Sequence, residues 1–154
     1  MFSQTAEYAL RAVVWLAGNP NAPSTTHQIA KATQVPADYL AKVMQALGRE
    51  GIVLAQRGKK GGFSLTVPAA EITILDVMNA VDPLKRIRTC PLSLKGHGAN
   101  LCPLHRRLDN AMDQIERAFG ETPIADLLNE SAEQAPGMPR APRPLCEIEE
   151  ACHV

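Results

Sequence analysis

The stretch from residue 25 to residue 67 constrains the fold more than any other part of the chain. Thr25-Thr26-His27-Gln28 has the Thr-x-x-Gln spacing of a capping box, in which hydroxyl and amide side chains satisfy backbone groups at a helix start. It opens a short helix that runs to about Thr33. Gln34-Val35 makes a turn, and Pro36 suits the first turn of a second helix because its missing N–H would have no partner there. Leu40, Val43, Met44 and Leu47 stand at i, i+3, i+4 and i+7, so this helix over 36–50 buries one face. Gly51 sits where a left-handed C-cap is expected. Two helices joined by so short a turn are a helix-turn-helix. Ile52–Ala55 and Phe63–Val67 read as short strands, and Gln56-Arg57-Gly58-Lys59-Lys60-Gly61-Gly62 between them is a basic, glycine-rich tip. Such a hairpin directly after a helix-turn-helix is a wing.

Residues 4–18 form a helix that Asn19-Pro20 stops. Ala6, Leu10, Val13 and Ala17 make one apolar line and Tyr8, Ala12 and Trp15 a second, which points to packing on more than one side or to contact with a partner. Thr73-x-x-Asp76 caps a further helix through Ala80 or Val81, and Pro83 ends it. Residues 84–103 are a loop rich in glycine, proline, cysteine and histidine. Helical spacing resumes over 104–119 with Leu104, Leu108, Met112, Ile115 and Phe119, while Asp109, Asp113 and Arg117 decorate the other side. A small winged domain cannot cover so long a stripe, so it is a candidate dimer seam. Gly120 ends this helix, and Thr122-Pro123 starts a last short one, Ile124 to Leu128. Residues 131–154, with four prolines and no complete helical stripe, read as a mobile tail. The fold class is mainly α with a small β-wing. A winged helix-turn-helix domain spans 1–83, a loop bearing cysteine and histidine 84–103, a candidate dimerisation helix with the short terminal helix 104–130, and a flexible tail 131–154.

The formal charge of the 154-residue chain is zero, from 16 basic and 16 acidic residues. Neutrality argues against a uniformly basic nucleic-acid binder but not against a local basic patch. Residues 1–66 carry a net +4, residues 67–102 a net +1, and residues 103–154 a net −5. A basic front and an acidic back divide the labour. The apolar run Ala9–Ala17 is nine residues long and holds Arg11, whereas a membrane helix needs roughly 20 apolar residues. With no signal-peptide pattern either, the expected location is the cytoplasm, with no membrane partner. Four cysteines are too few for a disulfide scaffold, and reduced thiols are read as ligands, redox groups or small core residues. No phosphate loop, nucleophile elbow, His-Glu-x-x-His helix or strand–helix repeat supports an enzyme.

A winged helix-turn-helix lays its second helix in the major groove of double-stranded DNA and its wing along a minor groove. Ala37, Asp38, Tyr39, Ala41 and Lys42, near the start of helix 36–50, would face base edges, with Thr26 at the start of the first helix. Asp38 suits a cytosine amino group, and Lys42 a phosphate or guanine. Arg57 is a natural minor-groove probe, and Lys59 and Lys60 would hold phosphates. A solvated basic hairpin on a protein-binding winged module is the competing reading.

Several motifs carry a family resemblance. Thr5-Ala6-Glu7-Tyr8-Ala9-Leu10-Arg11-Ala12 resembles the opening of the Rrf-two family of bacterial transcriptional regulators. Also similar are Val35-Pro36-x-x-Tyr39-Leu40, Leu47-x-x-x-Gly51-Ile52-Val53, Arg57-Gly58-x-x-Gly61-Gly62-Phe63-x-Leu65 and Cys102-Pro103-Leu104-His105. The resemblance covers about residues 1–130. It implies a homodimer of winged domains braced by a long crossing helix, bound to a palindromic operator, with a sensor site in the loop 90–105.

Cys90, His97, Cys102 and His105 lie within 16 residues of one another. Cluster-binding members of the family carry three cysteines in this loop. Cys90 and Cys102 match the outer two and His105 a following histidine, but Gly96 stands where the middle cysteine belongs, with His97 beside it. Glu7 falls where nitric-oxide-sensing members donate a carboxylate from the opposite subunit. Iron–sulfur clusters prefer thiolates, yet histidine replaces cysteine on one iron of Rieske centres. The resemblance therefore implies a 2Fe–2S cluster on Cys90, Cys102, His97 or His105, and Glu7, in a regulator that senses redox state, nitric oxide or iron. Two cysteines and two histidines are equally a complete zinc set, and a metal-free thiol pair is the third reading. Cys146, Cys152 and His153 form a second group, in the tail, read either as adventitious or as auxiliary to the sensor loop.

Overall fold

The computed structural model describes residues 2–89 and 101–133. In chain order these form α1 (Gln4–Gly18), α2 (Thr26–Thr33), α3 (Ala37–Arg49), β1 (Val53–Gln56), β2 (Gly62–Leu65), a 3-10 turn (Ala69–Glu71), α4 (Ile74–Val81), α5 (Pro103–Gly120) and α6 (Ile124–Glu133). The architecture is the expected one, mainly helical with one two-stranded antiparallel sheet.

Both capping boxes form. Thr25 Oγ1 accepts from the Gln28 N–H at 3.2 Å while Gln28 Oε1 accepts from the Thr25 N–H at 2.8 Å. Thr73 and Asp76 do the same at the start of α4, at 3.1 and 2.9 Å. The turn between α2 and α3 needs one left-handed residue, and Gln34 takes it at φ +56°. Gly51 follows α3 at φ +73°, a conformation that glycine adopts without Cβ strain.

The core is aliphatic. Val13, Ile29, Leu40, Val43, Met44, Leu47, Val77 and Ile124 are buried in one cluster. Helix α1 lies at its centre and touches α2, α3, α4, α6 and β2. That position explains its two apolar lines: Ala6, Ala9, Ala12, Val13, Val14 and Leu16 are buried, and Tyr8, Leu10, Trp15 and Ala17 pack around them. Its small alanines let so many neighbours approach one helix.

Three elements differ in extent from the sequence expectation. Both strands are displaced toward the wing tip, because pairing runs Val53 to Leu65 through Gln56 to Gly62. Helix α6 continues to Glu133, five residues past Leu128. Its apolar stripe ends at Leu128, but no breaker follows before Pro136, so the helix outlasts its buried face. A bridge between Thr73 and Pro123, with Ile124 N–H donating to the Ile72 carbonyl at 2.8 Å, seats α6 against α1 and the 3-10 turn.

Helix α5 is the exception to the packing. None of its residues is buried, and Leu104 and Leu108 are 63% and 47% exposed. It rests chiefly on α4, and Phe119 meets Phe2 at 5.2 Å between ring centroids.

Candidate functional site

Two groups of residues carry candidate chemistry. The first begins at α3. Leu40, Val43, Met44 and Leu47 fill its inner face, and Asp38, Ala41 and Lys42 emerge on the opposite one, all exposed, as Ala37 is. Gln45 continues this outward line one turn further, a position that sequence reasoning passes over although the same 3.6-residue period marks it. Asp38 has a local role. Pro36 offers no side-chain cap, and a carboxylate in the first turn opposes the positive end of the helix dipole, worth about 0.3–1 kcal/mol.

Tyr39 is only partly available. Its hydroxyl hydrogen-bonds Thr5, and its ring stands edge-on to Tyr8 at 5.5 Å and 83°. It ties the start of α3 to α1. Thr26 is half-buried in the first turn of α2. Arg57, Lys59 and Lys60 are exposed on the wing tip. The wing is anchored at its base by reciprocal backbone hydrogen bonds between Ser24 and Phe63, at 2.9 and 2.8 Å. That anchor sets the wing against the loop that leads into α2.

The second group lies at the start of α5. Cys102 occupies the N-cap position and Pro103 follows in the first turn. Cys102 Sγ lies 3.1 Å from His105 Nδ1. The i, i+3 spacing thus brings a thiol and an imidazole nitrogen together, and both half-exposed side chains can reach one ion or cluster. Cys90 and His97 lie outside the described residues, as do Cys146, Cys152 and His153 in the tail. Among the described residues, no group of three or more His, Cys, Asp or Glu side chains is arranged around a metal position. Glu7 is exposed on α1 and ion-paired with Arg11 one turn on, whose guanidinium lies 5.9 Å from the Tyr8 ring centre.

Just before Cys90, Arg86 is clamped by Asp109, Asp113 and Glu116 of α5. The sequence shows the acidic line on α5 but not its partner, which lies more than 20 residues away. The Arg86 guanidinium holds the Asp109 carboxyl below the ordinary aspartate value of 3.8, helped by the N–H of Ile87, and the three carboxylates hold Arg86 protonated. A lowered folded-state pKa means that the unfolded chain binds the proton more readily, so this contribution is present above 3.8 and lost as pH falls through the folded value. Thermal unfolding followed between about pH 6 and about pH 3 should show wild type and Asp109→Asn converging in the acid limb. A constant gap would contradict the assignment.

Comparisons with known proteins agree with the winged-helix fold. The family model Rrf2, described as "Iron-dependent Transcriptional regulator", matches residues 2–130. A protein of Aquifex aeolicus (strain VF5) described as an HTH-type transcriptional regulator is 34% identical over 132 residues, covering 84% of this chain and 92% of its own. Among solved structures, the global cysteine regulator CymR (YrzC) of B. subtilis superposes with a TM-score of 0.71 at 22% identity, over 84% of this chain and 97% of its own. IscR of T. potens gives 0.75 at 18% identity, over 90% and 93%. At these identities the two structures speak to the fold.

Proposed function

The chain belongs to the Rrf2 family of transcriptional regulators, and from that premise we propose that it is a homodimeric, cytoplasmic regulator that reads a palindromic operator and responds through its Cys/His segment. As a member of that family it binds DNA and is not an enzyme. The observation that carries the reading is the outward face of α3 with the basic tip of the anchored wing. Asp38, Ala41, Lys42 and Gln45 contact base edges or phosphates, Arg57 enters the minor groove, and Lys59 and Lys60 neutralise phosphates. The exposed line of Leu104 and Leu108 on α5 is the seam between subunits.

The sensing half is argued from donor chemistry. Cys102 and His105 would hold the group, with Cys90 and His97 from the preceding loop and Glu7 donated across the dimer. A 2Fe–2S cluster bound there supplies a one-electron redox centre that also reacts with nitric oxide. Because Cys102 caps α5 and His105 lies in its first turn, whatever engages them acts on the helix that spans the seam. Zinc on the same donors, or a metal-free thiol pair, is the alternative.

Anaerobic purification, followed by iron, sulfide and zinc analysis and a visible spectrum, tests the cofactor. Bound iron that is lost in Cys102→Ser supports the cluster, bound zinc supports the zinc reading, and a colourless, metal-free protein after reconstitution refutes both and leaves the thiol pair. Titration of a DNA duplex at several salt concentrations tests the regulator. Affinity should fall steeply with salt, and salt-independent binding to a protein instead would favour an interaction module.

A further inference from the structure

Residues 82–88 connect α4 to the flank of α5, and the segment is fastened at both ends. At the α4 end the Leu84 N–H donates to Asn79 Oδ1 at 3.3 Å. At the α5 end Arg86 donates from Nε and Nη2 to the two oxygens of Asp109 at 2.7 and 2.8 Å. Its Nη1 donates to Asp113 Oδ1 at 2.6 Å and to Glu116 Oε2 at 3.1 Å. The Ile87 N–H adds a bond to Asp109 Oδ1 at 2.9 Å. Asp109, Asp113 and Glu116 stand at i, i+4 and i+7, so one guanidinium grips α5 along about two turns.

Helix α5 has no buried residue, so apolar packing leaves its direction weakly determined. A guanidinium fork on a carboxylate is directional, because two parallel N–H bonds fix the plane of the contact. At 100° per residue the clamp lies about 125° around α5 from the line of Leu104 and Leu108, clear of the exposed stripe. The other end of the segment leaves α4, which packs on α1 and on α3.

We propose that Arg86 is a positioning residue. Through its clamp the strap 82–88 sets the angle between α5 and the DNA-reading domain, and thereby the distance between the two recognition helices of a dimer. This rests on the reading of the protein as a dimer on two half-sites. Half-sites one helical turn apart put each reading helix about 17 Å from the dyad, where a tilt of about 5° moves it by about 1.5 Å. Charge alone does not do this: lysine at 86 keeps the charge but lacks the fork.

The test uses full-length protein and a duplex that the wild type selects from a random pool. Variants of that duplex carry one base pair inserted or removed between the half-sites, or a single half-site. Wild type should discriminate between spacings. Arg86→Gln should keep its helical circular dichroism and its half-site affinity while its spacing discrimination falls by about fivefold or more, within the usual range of coupling. Arg86→Lys should lie between. A contact that served stability alone would lower the melting temperature and weaken all duplexes in proportion. Should Arg86→Gln fail to fold, Asp109→Asn, which leaves Asp113 and Glu116 on Arg86, carries the same expectation. Unchanged discrimination in the folded variants would overturn the proposal. If wild type shows no preference for spacing, the two-half-site reading itself fails and the proposal falls with it.

Discussion

Replacing Gly62 with alanine is expected to destabilise the protein by at least about 2 kcal/mol and to weaken DNA binding about tenfold or more. Gly62 has φ +155°, and a Cβ there would stand 2.7 Å from both the carbonyl carbon and the oxygen of Ser24. The obstructing atoms are backbone, so no rotamer change relieves the clash. What must give is the reciprocal pair of hydrogen bonds between Ser24 and Phe63, each worth about 0.5–1.5 kcal/mol net. Backbone strain adds about 1–3 kcal/mol. Function should suffer with stability because that pair seats the wing against the loop before α2, and a displaced wing would lose the groove contact proposed for it. Gly58→Ala is the control: at φ +109° it carries the backbone strain, but its Cβ would meet nothing within 4 Å. Urea unfolding and DNA titration of both variants decide the matter. A Gly62→Ala protein as stable as wild type would show that the wing base is not the constraint described.

The triple substitution Arg57→Ala, Lys59→Ala, Lys60→Ala should act on binding alone. All three side chains are exposed on the wing tip, and among the described residues none of them makes a hydrogen bond or ion pair within the protein. Surface changes of this kind shift stability by no more than about 0.5 kcal/mol. Each phosphate neutralised by lysine or arginine contributes about −0.9 to the slope of log affinity against log salt, so the loss of Lys59 and Lys60 from both subunits of a dimer should remove roughly 3.6 of that slope. The accompanying loss of affinity at low salt should be about a hundredfold to a thousandfold. Arg57→Ala alone should also relax preference at the positions flanking the major-groove contacts, because a minor-groove arginine reads groove width. An unchanged salt slope in the triple variant would remove the wing from the DNA interface.

The parts legible in the sequence are those governed by local rules. Capping boxes at Thr25 and Thr73, the period of Leu40, Val43, Met44 and Leu47, and the glycine at 51 each act within a few residues, and each is present as expected. The strands are displaced because β-pairing is decided across the hairpin, not along one strand. Tyr39 shows the same limit at the start of α3. Its position in α3 says that it points outward, but its hydrogen bond to Thr5 and its ring contact with Tyr8 come from a helix more than 30 residues earlier. The contact of Cys102 with His105 is not among the sequence expectations, although their i, i+3 spacing at a helix start is the signal that marks it.

The sequence by itself determined the winged helix-turn-helix order, both capping boxes and the exposed basic tip. All of these depend on helical period, capping and turn chemistry, whose range is a turn or two. Tertiary structure alone decided that α1 is the hub of the core, that α6 packs back on α1, and that Asp109, Asp113 and Glu116 close on Arg86. Those contacts join segments far apart in the chain. An acidic line on a helix looks the same in sequence whether it faces water or a guanidinium, and only the folded path of residues 82–88 brings the arginine to it.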